Sequence, residues 1–152
     1  MLSQLELSLP SLKVLKLEYL KELECLCKGP THLLSLPNLK ILRVENCDRL
    51  RYMFYPSLAR KFMQLEELYI WNCGELEQIF IEDDAEYNQT TLARNLLQLG
   101  STDIENCKEL EQFIVEDHTE DYHVQLGLFP NPSSISVKEC DKLKTLFPVT
   151  IA

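Results

Sequence analysis

One spacing, met again and again, constrains this chain more than any other feature. Residues 65–80, LEELYIWNCGELEQIF, place apolar side chains at Leu65, Leu68, Ile70, Leu76 and Ile79, with Cys73 between them. Leu68 and Ile70 alternate as a strand with one inward face does. The pattern then breaks at Cys73, where a bend turns the side chain inward, within reach of backbone groups the bend leaves unpaired. The same pattern fills residues 12–27 (with Leu20 in the cysteine position), 39–54, 99–114 and 132–147. A unit of this size cannot bury its apolar edge alone, so the copies must stack on one another.

The period is not constant. Successive cysteine positions lie 27 (47 − 20), 26 (73 − 47), 34 (107 − 73) and 33 (140 − 107) residues apart. The longer units carry acidic stretches at 82–86 and 116–121, expected as loops outside the stack. Residues 57–64, SLARKFMQ, and 91–98, TLARNLLQ, pair Leu58 with Phe62 and Leu92 with Leu96. That spacing predicts short helices, the first capped by Ser57. Thr102 stands where a strand leucine is needed and Pro132 where an entry leucine is needed, which predicts weaker packing toward the C-terminus.

The pattern L-x-x-L-x-L-x-x-C-x-x-L is that of a leucine-rich repeat. The fold expected is α/β: a curved right-handed solenoid of about five repeats, with a parallel sheet on its concave face and short helices and irregular loops on its convex side. Strands are expected to centre on 15–17, 42–44, 68–70, 102–104 and 135–137. Residues 1–152 read as a single domain, a piece of a longer array without polar caps, and so prone to self-association at its exposed edges.

Composition narrows the chemistry. The formal charge of −9 disfavours nucleic acid or an anionic membrane as partner. No apolar run reaches the roughly 20 residues that span a bilayer, and the start lacks a basic signal-peptide region, so the chain reads as cytoplasmic. Four of the six cysteines, Cys47, Cys73, Cys107 and Cys140, share one repeat position and are expected to be buried, reduced and directed into the core rather than at each other. Cys25, Cys27 and His32 do not complete the four-ligand set of a structural zinc site. The acidic runs 82–84 and 116–118 stand in equal register and read as two solvated, mutually repelling loops in preference to oxygen ligands for a divalent cation such as calcium. His32, His118 and His123 have no nucleophile at a catalytic spacing, so the chain reads as a non-enzyme without cofactor or metal. The sequon Asn88-Gln89-Thr90 reads as accidental in a cytosolic chain.

Leu36-Pro37-Asn38-Leu39, Asn72-Cys73, Glu75-Leu76-Glu77-Gln78-Ile79 and Leu146-Phe147-Pro148, together with the acidic inserts, carry a family resemblance. The chain resembles the leucine-rich-repeat region of plant coiled-coil nucleotide-binding (NB-ARC) disease-resistance proteins. The resemblance covers nearly the whole sequence. It implies a segment of an intracellular immune receptor that recognises a pathogen effector, a guarded host protein or other domains of the same receptor. The G-x-x-x-x-G-K-[ST] phosphate loop of that family is missing here, so nucleotide binding is not carried over. An alternative is the substrate-binding array of an F-box ubiquitin-ligase adaptor, although the Ile-Thr-Asp usual after its cysteine is replaced by Asp48-Arg49-Leu50 and Gly74-Glu75-Leu76. A truncated remnant without independent function is the other alternative.

With the strand leucines inward, the alternate residues form columns on the opposite, concave face. One column reads Lys16, Arg43, Tyr69, Asp103 and Ser136; the next reads Glu18, Glu45, Trp71, Glu105 and Lys138. Lys16, Arg43, Glu45, Tyr69, Trp71, Asp103 and Glu105 are the candidate partner-binding residues, because Trp, Tyr and Arg dominate binding hot spots. The other reading of Trp71 is that a neighbouring loop or a further domain covers it.

Overall fold

The computed structural model describes residues 6–26, 33–54, 60–62, 64–80, 99–114 and 134–144. Ten strands are present among them: β1 (Leu7–Ser8), β2 (Val14–Glu18), β3 (Leu34–Ser35), β4 (Ile41–Glu45), β5 (Tyr52–Phe54), β6 (Glu67–Trp71), β7 (Gln78–Phe80), β8 (Ser101–Glu105), β9 (Gln112–Ile114) and β10 (Ser134–Lys138). A front sheet runs in the order β10-β8-β6-β4-β2 and a back sheet in the order β5-β7-β9; β1 and β3 form a small third sheet. Every pairing is parallel.

The five front strands span the five expected centres. Their alternation has its expected result: in β4, β6 and β8, Leu42, Val44, Leu68, Ile70, Thr102 and Ile104 are buried while the residues between them stay half-exposed. The apolar residues among these join Leu50, Met53, Leu76, Ile79 and Leu110 in one core cluster. Burying a leucine such as Leu68 contributes about 1.5–3 kcal/mol. Thr102 lies within this core despite its hydroxyl. Exposure rises at both ends of the front sheet, at Val14 and Leu20 as well as at Ile135, rather than at the C-terminal end alone. Pro132 lies outside the described residues.

The bend after each front strand has a defined construction. The residue following the strand, Asn46, Asn72 or Asn106, sits at a φ of 55–56° in the left-handed region, as do Tyr19 (59°) and Glu139 (55°) at the equivalent positions. Asparagine tolerates that region better than most side chains. Its amide continues the parallel ladder: the N–H groups of Tyr19, Asn46, Asn72 and Asn106 donate to the carbonyls of Glu45, Trp71, Glu105 and Lys138 at 2.9–3.0 Å. The next residue is then aimed inward. A turn follows in which the Leu50, Leu76, Leu110 and Leu143 amides donate to the carbonyls of Cys47, Cys73, Cys107 and Cys140 (3.2 Å each).

The α/β assignment needs correction. Among the described residues there is no α-helix; a 3-10 turn at Arg60–Phe62 occupies the middle of 57–64, and its Phe62 ring packs on Phe54 at 5.1 Å. Eight residues are too few for a helix to hold itself in water. Residues 57–59 and 63, and all of 91–98, lie outside the described residues. Among the described residues, the apolar segments after the Cys47, Cys73 and Cys107 turns form the back sheet, with Tyr52 paired to Gln78 and Gln78 to Gln112. That pairing satisfies the backbone of a buried segment without a helix.

Each back strand starts 11 residues after its front strand (52 − 41, 78 − 67, 112 − 101). The return is variable, with β6 starting 15 residues after β5 (67 − 52) and β8 starting 23 after β7 (101 − 78). No helix among the described residues is long and apolar enough to cross a membrane.

Candidate recognition face

The parallel register brings the candidate residues together in the expected columns. Lys16 is opposite Arg43, Arg43 opposite Tyr69, Tyr69 opposite Asp103, and Asp103 opposite Ser136. Alongside, Glu18 is opposite Glu45, Glu45 opposite Trp71, Trp71 opposite Glu105, and Glu105 opposite Lys138. Lys16 is exposed; Arg43, Glu45, Tyr69, Trp71, Asp103 and Glu105 are half-buried on the outward side of their strands.

At the centre of the face three side chains interlock. The Arg43 guanidinium lies over the Tyr69 ring at 4.7 Å from its centroid, within cation–π range. Tyr69 and Trp71 meet edge to face, with centroids 5.7 Å apart and planes at 65°. The Tyr69 hydroxyl donates to Glu67 Oε2 at 3.0 Å, and this bond, followed by burial, pushes the phenol above its ordinary range. Arg43 Nε and Trp71 Nε1 are buried without a hydrogen-bond partner. What Trp71 offers solvent is therefore ring carbon rather than its N–H. Spacing alone gave the columns; the Arg43–Tyr69–Trp71 contact depends on rotamers that no spacing reports.

The face differs from the turns in how its charges are matched. Along the turns, neighbouring units exchange ion pairs: Arg49–Glu22 (2.7 Å), Arg51–Glu77 (3.2 Å), Lys108–Asp141 (3.3 Å) and Lys142–Glu109 (2.7 Å). On the face, among the described residues, the carboxylates of Asp103 and Glu105 have neither an ion pair nor a hydrogen bond, and that of Glu45 accepts only from Asn46 Nδ2 (3.3 Å). Like charges stand opposite each other at Lys16 and Arg43 and again at Glu18 and Glu45, which opposes pairing rather than aiding it.

Behind the face runs the cysteine column. Cys47, Cys73 and Cys107 are buried and free, and Cys140 is free but half-buried, short of the burial expected. Each buried thiol lies between two carbonyls, one in its own strand and one in the strand before. Cys47 Sγ is 3.6 Å from Glu45 O and Leu17 O; Cys73 Sγ is 3.5 and 4.0 Å from Trp71 O and Val44 O; Cys107 Sγ is 3.6 and 3.9 Å from Glu105 O and Ile70 O. Cys73 is raised, first by the neighbouring Cys107 thiol and then by burial, while Cys107 is lowered by the same neighbour. Burial likewise pushes Cys47 and Cys140 up.

The other candidates stand apart from this face. Among the described residues no group of three or more His, Cys, Asp or Glu is placed to hold a metal ion. The acidic runs at 82–84 and 116–118, Cys27, the three histidines and the sequon lie outside the described residues.

Comparison with curated proteins and with solved structures gave no match. The family model described as plant disease resistance protein RPS2-like, leucine-rich repeats, matches residues 2–74 and again 66–152, so that the two matches together run almost from end to end. The chain belongs to the leucine-rich-repeat region of RPS2-like plant disease-resistance proteins.

Proposed function

We propose that this chain is the protein-recognition segment of a plant innate immune receptor that works in the cytoplasm. Its repeats form a right-handed solenoid of about five turns, and its concave face is the front sheet bearing Lys16, Arg43, Glu45, Tyr69, Trp71, Asp103 and Glu105. The partner is a pathogen effector, a guarded host protein or another domain of the same receptor. The segment acts by binding, not by catalysis. One observation carries the reading: the register gathers an arginine and two aromatics at the centre of an outward sheet face, where their half-exposed surfaces are free to meet a partner. Membership of the disease-resistance family supports the setting.

The test is proximity labelling in plant cells with the wild-type chain and with Trp71→Ala. A set of labelled proteins present with the first and lost with the second is expected, with a stability loss below about 3 kcal/mol. Identical sets, or a larger stability loss, would show that Trp71 serves packing. Cell fractionation checks the compartment.

A further inference from the structure

We infer that the Tyr69–Trp71 shelf receives an arginine side chain from an exposed segment of a protein partner, seated between the rings and the carboxylates of Asp103 and Glu105. The inference rests on the recognition role proposed above and gives that role a charge and a shape. The shelf already shows its chemistry once, since Arg43 lies over one side of the Tyr69 ring at 4.7 Å. The edge-to-face Tyr69–Trp71 pair adds a second ring to the aromatic surface. The surrounding charge is anionic: Asp103 is the register partner of Tyr69, Glu45 and Glu105 are the register partners of Trp71, and Glu67 is held by the Tyr69 hydroxyl. Four carboxylates thus border the pair against the single guanidinium of Arg43.

Strands about 4.8 Å apart bring side chains in register within contact of one another. Carboxylates on the turns are paired with cations of the next unit, while the carboxylates of Asp103 and Glu105 form no ion pair among the described residues, although Lys138 stands in register beside Glu105. An acceptor-bearing ligand is not offered Arg43 Nε or Trp71 Nε1, which are buried, and would meet the remaining guanidinium N–H groups of Arg43 among four carboxylates. A guanidinium gains on both counts: it stacks flat on a ring and donates in a fork to a carboxylate, which an ammonium does not.

Trp71 is the only tryptophan in the chain, so its fluorescence reads this face directly. The full chain would be titrated with a short end-blocked Gly-Arg repeat peptide and with the same peptide carrying citrulline for arginine. The arginine peptide should give a saturable change that weakens with added salt. The citrulline peptide, and the arginine peptide on Asp103→Asn/Glu105→Gln, should bind at least about tenfold more weakly. Removing the same charge elsewhere, in Glu24→Gln/Glu111→Gln, should leave affinity within about twofold, and circular dichroism confirms that both variants fold. Equal binding of the citrulline peptide overturns the inference, as does equal weakening in the two double variants, which would mean general attraction to an acidic protein. A fluorescence change that tracks self-association in sedimentation, or no change at all, also overturns it. None of these results touches the labelling experiment on Trp71→Ala, so the arginine site can fail while the recognition face stands.

Discussion

Asn72 is the residue whose replacement tests the construction of the bend most sharply. It does two separable things. Its backbone holds a φ of 56°, and its Oδ1 accepts a bond from Asn106 Nδ2 at 2.8 Å. Alanine carries a left-handed penalty of about 1–2 kcal/mol, somewhat less when measured against asparagine. Loss of the side-chain bond removes about 0.5–1.5 kcal/mol more. Asn72→Ala should therefore cost about 2 kcal/mol. Asn72→Gly loses the same bond but suffers no left-handed strain, while glycine's freedom in the unfolded chain takes back about 0.5–1 kcal/mol. The glycine variant should thus be the more stable of the two by about 0.5–1 kcal/mol. Urea unfolding followed by far-ultraviolet circular dichroism measures both, and equal m-values would license the comparison. A glycine variant as unstable as the alanine one would refute the argument, since the left-handed backbone would then not be what asparagine supplies.

The remaining expectations concern the thiols. Cys73 and Cys107 shift in opposite directions through one mutual contact, so the alkaline effect falls to Cys47 and Cys140, which burial raises above the ordinary 9.0 so that the folded state keeps protons the unfolded state releases. Their contribution to stability is complete below pH 9 and is lost as pH rises beyond it, at a slope of at most about 1.4 kcal/mol per pH unit for each thiol. Urea midpoints measured on either side of pH 9 check this; Cys47→Ala should flatten the decline, and an unchanged slope in that variant would sink the account. A thiol reagent under native conditions should modify Cys25 and Cys140 well before Cys47, Cys73 and Cys107, following their burial. Equal rates across the five would show that the column opens to solvent in the folded state.

The front sheet was legible from alternation because only one register buries Leu42, Val44, Leu68 and Ile70 together. The columns of the candidate face followed from the same arithmetic, since a period of two places Tyr69 and Trp71 on the side opposite Leu68 and Ile70. The back sheet was not legible. Met53, Phe54 and Ile79 belong to segments of three residues, too short for any periodicity to separate strand from turn, and only pairing with a neighbouring unit makes them strands. In the stretch 57–64 the described part is a 3-10 turn at Arg60–Phe62, tighter than the α-helix that the spacing of Leu58 and Phe62 suits. The contacts at Tyr69 and the sharing of carbonyls by each thiol are matters of rotamer and distance, which a linear pattern does not encode.

The fixed 11-residue passage from front strand to back strand, set against a return of 15 residues in one unit and 23 in another, separates two kinds of sequence change. A residue inserted between Ile41 and Phe54 would throw the Asn–Cys bend out of phase and put the wrong side chains into the core. A residue inserted between Phe80 and Leu99 changes the count along the chain without changing which amide meets which carbonyl. The molecule keeps its measure by hydrogen bonds rather than by residue number. Lengthening by duplication or slippage can therefore accumulate on one side of every unit while the face opposite keeps its geometry, which makes this architecture unusually forgiving of growth in one direction and unforgiving in the other.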